Sequence, residues 1–301
     1  MKLMLARAKD IPVDFTFDPE GELNQNRMLC KTCQSHVLDF LPTMLAQTTR
    51  FRSLTIRNKG QPLLEDLLSK ASGRAPALTH LDISAASDDD SWRDRYLPRD
   101  FLEGGSGAPA LQHLRLERIK VPWDDIPLPS TLTHLTLREG GDPREGPFYE
   151  SLSQLASLQH LDPDKWLPDA NPPAGEVEHL LPTSNLPLLR LTFPSLRRLT
   201  VEDSAASLTR FFRRVWTPNV VCLKLTIKYS SVDARTFREC LREAQNAIGG
   251  STERFQNSNR MVIRNFGSRV WDCRIEPFSS STSQTQNPSP IKDTVDLQDH
   301  L

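Results

Sequence analysis

Leu111–Leu116 reads LQHLRL and Leu132–Leu137 reads LTHLTL, two copies of one phrase: an apolar residue, two variable residues, an apolar residue, one variable residue, and a final apolar residue. The last two apolar residues of each phrase are two apart. In an extended chain they therefore face one side, while the residues between and beside them face the other. Each copy predicts a short half-buried strand. The phrase returns as FRSLTI at Phe51–Ile56, LTHLDI at Leu78–Ile83, LRRLTV at Leu196–Val201 and VCLKL within Val220–Leu225, with a degraded copy, LQHLDP, at Leu158–Pro163.

Successive copies begin 21 to 38 residues apart, and the two longest steps hold visible insertions, SDDDSWRDRY at Ser87–Tyr96 and a proline-rich stretch at Asp162–Pro173. The remaining steps fall in the leucine-rich-repeat range of about 20 to 29 residues. Parallel neighbours need a crossover, usually a helix. Helical spacing appears at Pro62–Gly73, at Ser207–Trp216 with a stripe of Leu208, Phe211, Phe212 and Val215, and at Asp233–Ile248 with Phe237, Leu241, Ala244 and Ile248. The expected fold is α/β: an irregular leucine-rich-repeat-type solenoid, strands on its concave face, helices and loops on its convex face. Residues 1–50 would form an N-terminal cap, with a strand at Ile11–Phe17 and an amphipathic segment at Cys30–Thr49. Residues 51–249 would form the solenoid and 250–278 a second cap, with strands at Met261–Arg264 and Arg269–Ile275. The polar stretch 279–301 has too little apolar surface to offset its ordering entropy and is expected to be disordered.

Composition narrows the function. With 37 basic and 38 acidic residues the net charge is −1, so no long-range field draws the chain to nucleic acid or an anionic membrane. There is no apolar run of membrane-spanning length and no secretory signal, and the five cysteines are odd in number and irregularly spaced. A soluble cytoplasmic or nuclear protein with free thiols is expected. Cys30, Cys33 and His36 form a lone CxxC with a nearby histidine, and without a second cysteine pair they read as core residues of a helix rather than zinc ligands. Asp88, Asp89 and Asp90 lack the alternating oxygens, glycine and closing glutamate of a calcium loop. Gly104, Gly105 and Gly107 precede a strand instead of opening a helix, so they make no phosphate loop. No catalytic site, cofactor site or metal site is predicted.

The stronger signal is positional. The residue before the second apolar position should face outward, and there stand Ser53, His80, His113, His134, His160, Arg198 and Cys222. Stacked repeats would hold the four imidazoles about 4.8 Å apart. They read first as a ladder supporting the strands, with a pH-sensitive or metal-binding column as the alternative. Further along the same face come Thr55, Asp82, Arg115, Thr136, Asp162, Thr200 and Lys224, then Arg57, Ser84, Glu117, Arg138, Glu202 and Thr226. The candidate partner-binding residues are His80, Asp82, His113, Arg115, Glu117, His134, Thr136, Arg138, Arg198 and Thr200.

The opening LARAKDIPVDFTF, followed by FRSLTI, LTHLDI, LQHLRL and LRRLTV, resembles the leucine-rich-repeat portion of fungal F-box-like proteins over roughly residues 1 to 250. The resemblance implies a non-catalytic protein-interaction module of the kind that captures substrates for a cullin-RING ubiquitin ligase. A stand-alone repeat scaffold is the alternative, and a metal-binding or enzymatic repeat protein a more distant one. The F-box that would dock a Skp-type adaptor would have to precede Met1, so such an adaptor is not expected to bind this chain alone. The asparagine that such repeats carry three places after the last apolar residue is also missing. Lys59, Ala86, Ile119, Gly140, Ser204 and Lys228 stand there instead, which predicts an irregular stack whose backbone is satisfied some other way.

Overall fold

The computed structural model describes residues 11–18, 45–58, 68–85, 96–103, 106–123, 128–141, 143–168, 190–228, 234–249, 259–265 and 270–277. The chain forms two compact units, Met1–Asp169 and Ala170–Leu301, dividing within the stretch expected to form one solenoid. Outside the described residues lie the Cys30, Cys33 and His36 cluster, most of the Cys30–Thr49 segment, the three aspartates, Gly104 and Gly105, and 279–301.

The first unit carries six parallel strands side by side in chain order: β1 (Val13–Phe17), β2 (Phe51–Asn58), β3 (His80–Ala85), β4 (His113–Glu117), β5 (His134–Arg138) and β6 (His160–Asp164). Five of them are repeat phrases, the degraded copy included. The register aligns like with like: Leu54 opposes Leu81, Leu81 opposes Leu114, Leu114 opposes Leu135, and Leu135 opposes Leu161. A one-residue slip would turn every inward leucine out to solvent, at about 1.5 to 3 kcal/mol for each fully buried one. That cost fixes the pairing. The proline-rich insertion begins later than the sequence suggests, because Asp162–Asp164 belong to β6.

In four of the five phrases of this unit the first apolar residue plays a different part from the other two; Phe51 is the exception, lying within β2. Leu78, Leu111, Leu132 and Leu158 are buried yet precede their strands. Each closes a turn, its N–H bonding the carbonyl three residues back, on Ala75, Ala108, Pro129 and Leu155. Pro76 and Pro109 occupy the second place of two of these turns, where a fixed φ is already right. The chain also leaves three successive strands by one device. Arg118, Glu139 and Lys165, each immediately after its strand, have φ of 58°, 50° and 52°. This left-handed step turns the next residue, Ile119, Gly140 or Trp166, into the interior, where all three are buried.

Behind the sheet, helix α1 (Glu145–Ser153) follows β5 and buries Phe148, Tyr149 and Leu152, a helix the spacing of apolar residues did not announce. Trp123 meets Phe148 and Trp166 edge-on, with centroids 5.2 and 5.8 Å away. Gly140 is required by this cluster, since a Cβ there would stand 1.7 Å from a Trp166 ring carbon. Of the expected helix Pro62–Gly73, residues 68–70 are helical and Leu68 is buried, while 62–67 lie outside the described residues.

In the second unit, β7 (Leu191–Thr192) pairs with β9 (Val215–Trp216), and β8 (Arg198–Ser204) pairs with β10 (Cys222–Lys228), both in parallel. β12 (Val270–Pro277) runs antiparallel to β10, and β11 (Asn259–Asn265) antiparallel to β12, giving the strand pair expected at 261–275. Helix α2 (Ala205–Arg214) starts at the Ser204 cap, whose Oγ accepts the Ser207 N–H at 3.2 Å. It buries Leu208, Phe211 and Phe212 as the stripe predicted, but it stops at Arg214 because Val215 and Trp216 are held in β9. Helix α3 (Ala234–Ala247) buries Cys240, Glu243, Ala244 and Ala247, whereas Phe237 and Leu241 are only half-buried. The inward stripe of α3 is therefore rotated from the one the large apolar residues suggest. The same entry turn recurs, Leu196 N–H to Phe193 O and Val220 N–H to Thr217 O, with Pro194 and Pro218 in second place. The fold is thus mixed α/β with parallel strands. Among the described residues no helix is long and apolar enough to cross a membrane.

Candidate functional site

The outward face of β1 to β6 is built in three rows, because alternate residues of in-register strands line up across a sheet. The first row runs Asp14, Ser53, His80, His113, His134 and His160. The expected histidine column is real: ring centroids stand 4.2 Å apart for His80 and His113, 4.0 Å for His113 and His134, and 4.1 Å for His134 and His160. The first three rings stack nearly parallel, at 7° and 22°, and the fourth turns edge-on at 68°.

Two threonines, which sequence reasoning passed over, fix two of these rings. Thr79 Oγ1 lies 3.0 Å from Arg52 O and 2.8 Å from His80 Nδ1, and Thr133 Oγ1 lies 3.0 Å from Gln112 O and 2.9 Å from His134 Nδ1. A hydroxyl has one proton, and a carbonyl oxygen has none to give. Each threonine must therefore donate to the carbonyl and accept from the ring, which sets neutral His80 and His134 as Nδ1–H tautomers. His113 follows Gln112 and has no such bond; neither of its nitrogens, nor Nε2 of His134, is a buried unpartnered atom. The signal was present in the sequence as an alternation, LTHL, LQHL, LTHL, LQHL.

Burial lowers the pKa of His113, helped by the charges His134 and His80 would carry, and burial followed by His160 and His80 lowers that of His134. Both are neutral at pH 7. Parallel rings aim their lone pairs side by side instead of at one point, which does not suit a shared metal. Among the described residues no group of three or more histidine, cysteine or acidic side chains could hold a metal ion.

The second and third rows form a mesh of ion pairs. Asp82 meets Arg57 at 3.0 Å and Arg115 Nε at 3.7 Å, Arg115 meets Glu117 at 2.8 Å, and Arg138 meets Asp162 at 3.0 Å. The 3.7 Å contact is too long for a hydrogen bond and counts as charge attraction alone. Asp14 pairs with Arg52 on the edge of the same face. Apart from this fully exposed edge pair, the groups are partly exposed, so each pair is worth about 0 to 1 kcal/mol. Their effect is to hold the arginines in place. Thr136 lies in this mesh between Arg115 and Asp162. Eight of the ten candidate residues, His80, Asp82, His113, Arg115, Glu117, His134, Thr136 and Arg138, thus share one continuous face. Arg198 and Thr200 belong to β8 in the second unit, opposite Cys222 and Lys224.

A further ladder follows the strand exits. Arg118 Nε donates to Glu139 at 2.7 Å, and Lys165 Nζ donates to the other oxygen of the same carboxylate at 3.2 Å. The Arg118 bond, with help from Lys165, holds the Glu139 carboxyl below the usual range. No family model matches this sequence, and no curated protein matches it.

Proposed function

We propose that the chain is a non-catalytic protein-recognition module, an irregular leucine-rich-repeat-type solenoid whose β1 to β6 face captures a segment of another protein. The observation that carries this reading is the register. Five repeats far apart in sequence place histidine beside histidine and arginine beside carboxylate on one surface, as concave repeat faces do when they bind. Arg115 and Arg138 are the anchors: each is held by a carboxylate yet keeps a guanidinium edge for a partner's acidic or aromatic groups, and holding them in advance lowers the entropy lost on binding. Resemblance to the repeats of F-box-like proteins makes a ubiquitin-ligase substrate the kind of partner to seek, with the Skp-type adaptor contributed by something other than these repeats.

The test is affinity capture from cell extract with the unaltered chain and with the Arg115→Ala, Arg138→Ala double variant. A defined set of proteins retained by the first and lost by the second supports the reading. Equal retention by both, with loss on altering helix residues 68–70 behind the sheet, refutes it.

A further inference from the structure

We propose that the imidazole column is a proton-operated switch in which the threonine-bound ring of His134 fills before His113, and so converts its Nε2 edge from hydrogen-bond acceptor to hydrogen-bond donor as pH falls. Rings 4.0 to 4.2 Å apart cannot all carry charge, because neighbouring like charges at that distance repel strongly. An arrangement with charges on every second ring keeps a neutral ring between them, and an imidazolium facing a neutral ring is attracted to it.

What chooses the rungs is the threonine. Thr79 and Thr133 already accept Nδ1–H from His80 and His134. Protonating either ring adds a proton at Nε2, leaves that bond intact and strengthens it, since a charged donor makes the stronger hydrogen bond. His113 has no partner for the positive form, and it and His134 are each flanked by a ring on both sides. Burial depresses both inner rings, so the threonine decides between them.

Among the neighbouring groups His160, whose charge would lower His134, acts against this order, while the carboxylates do not favour His113. Asp14 heads the row but is separated from His80 by Ser53 and is tied to Arg52. In the adjoining rows Asp82 is tied to Arg115, and Asp162 to Arg138, so neither carboxylate is free to draw the proton to His113. At neutral pH His134 offers an Nε2 lone pair. After acidification it offers Nε2–H.

Histidine-detected nitrogen NMR on the full chain from pH 8 to 5 tests this. The expected result is Nδ1–H at His80 and His134 at pH 8, and titration of His134 before His113 as pH falls. Thr133→Val should erase the tautomer preference of His134 and its lead over His113, whereas Thr133→Ser, which keeps the hydroxyl, should preserve both. Thr131→Val is the control, since its hydroxyl also binds backbone carbonyls, of Pro109 and Leu111, but no ring. An Nε2–H tautomer at His80 and His134, or His113 protonating first in the unaltered chain, overturns the proposal without recourse to any variant.

Discussion

Leu135→Ala tests the inward assignment of the repeat where it is least ambiguous. Leu135 is 1% exposed in β5, between Leu114 and Leu161 on the flanking strands. The change removes three carbon groups at about 0.8 kcal/mol each, or about 2.4 kcal/mol of transfer energy. A cavity cost adds to this, because the flanking leucines sit on strands locked by their own ladders and cannot close the gap fully. The expected loss is about 3 to 4 kcal/mol, a large part of the roughly 5 to 15 kcal/mol that holds a typical domain together. Leu114→Ala, at 7% exposure, should cost less but exceed about 2 kcal/mol. Urea denaturation followed by tryptophan fluorescence measures this, since Trp123 and Trp166 are buried in the same unit. Losses below about 0.5 kcal/mol for both variants, the range of ordinary surface changes, would show that the leucines do not form the inner column.

Gly140→Ala should cost about 1 to 3 kcal/mol through overpacking against Trp166, whereas Gly146→Ala in α1, where a Cβ meets nothing within 4 Å, should be neutral or stabilising in the same melting experiment. Stability should also depend on pH in a direction set by the column. The folded pKa values of His113 and His134 lie below the unfolded 6.5, so the unfolded chain takes up protons first. Their contribution is complete above about pH 6.5 and is lost as pH falls through the lowered folded values. Urea midpoints should decline from pH 7.5 to 5, and His113→Gln with His134→Gln should flatten the decline; an unchanged slope would assign it to other groups. Lys165→Gly should be neutral or stabilising, since glycine adopts a φ of 52° without strain, and a loss above about 1 kcal/mol would mean that the bond to Glu139 outweighs that relief.

Much of this was legible in the sequence, and the reason is physical. A period-2 apolar pair announces a strand whatever surrounds it, so all seven phrases, even LQHLDP with its proline, mark the strands that form. The histidine column followed from offset alone, because identical phrases in register place identical positions side by side. The helices were less legible. In α3 the small residues Cys240, Ala244 and Ala247 go inward while Phe237 and Leu241 stay half-buried, and hydrophobicity by itself does not say that the closest packing wants the smaller side chains. The threonines were missed for another reason: a hydroxyl that bridges a neighbouring strand's carbonyl and its own chain's next ring has no apolar signature, and only the alternation of threonine and glutamine hinted at it.

The missing asparagines bring these levels together. An asparagine ladder at the strand exits would satisfy backbone groups there, and the exits of β4, β5 and β6 carry no asparagine, yet backbone groups there find other partners. Arg118 N–H bonds Arg138 O at 2.7 Å and Glu139 N–H bonds Asp164 O at 2.9 Å, so two of the three exit amides reach directly to the next strand. The left-handed conformation at Arg118, Glu139 and Lys165 accompanies that reach, at a cost of about 1 to 2 kcal/mol for each residue with a Cβ. The Arg118–Glu139–Lys165 ion ladder is part of the compensation, and the burial of Ile119 and Trp166 just beyond is the larger part, since both side chains reach the interior through this turn. A backbone solution of this kind does not demand a fixed residue or a fixed repeat length. It demands only that the next residue be able to fill the interior or, as at Gly140, make room for a neighbour that does. Copies 21 to 33 residues apart in the first unit can therefore share one register, and the register in turn aligns the outward face.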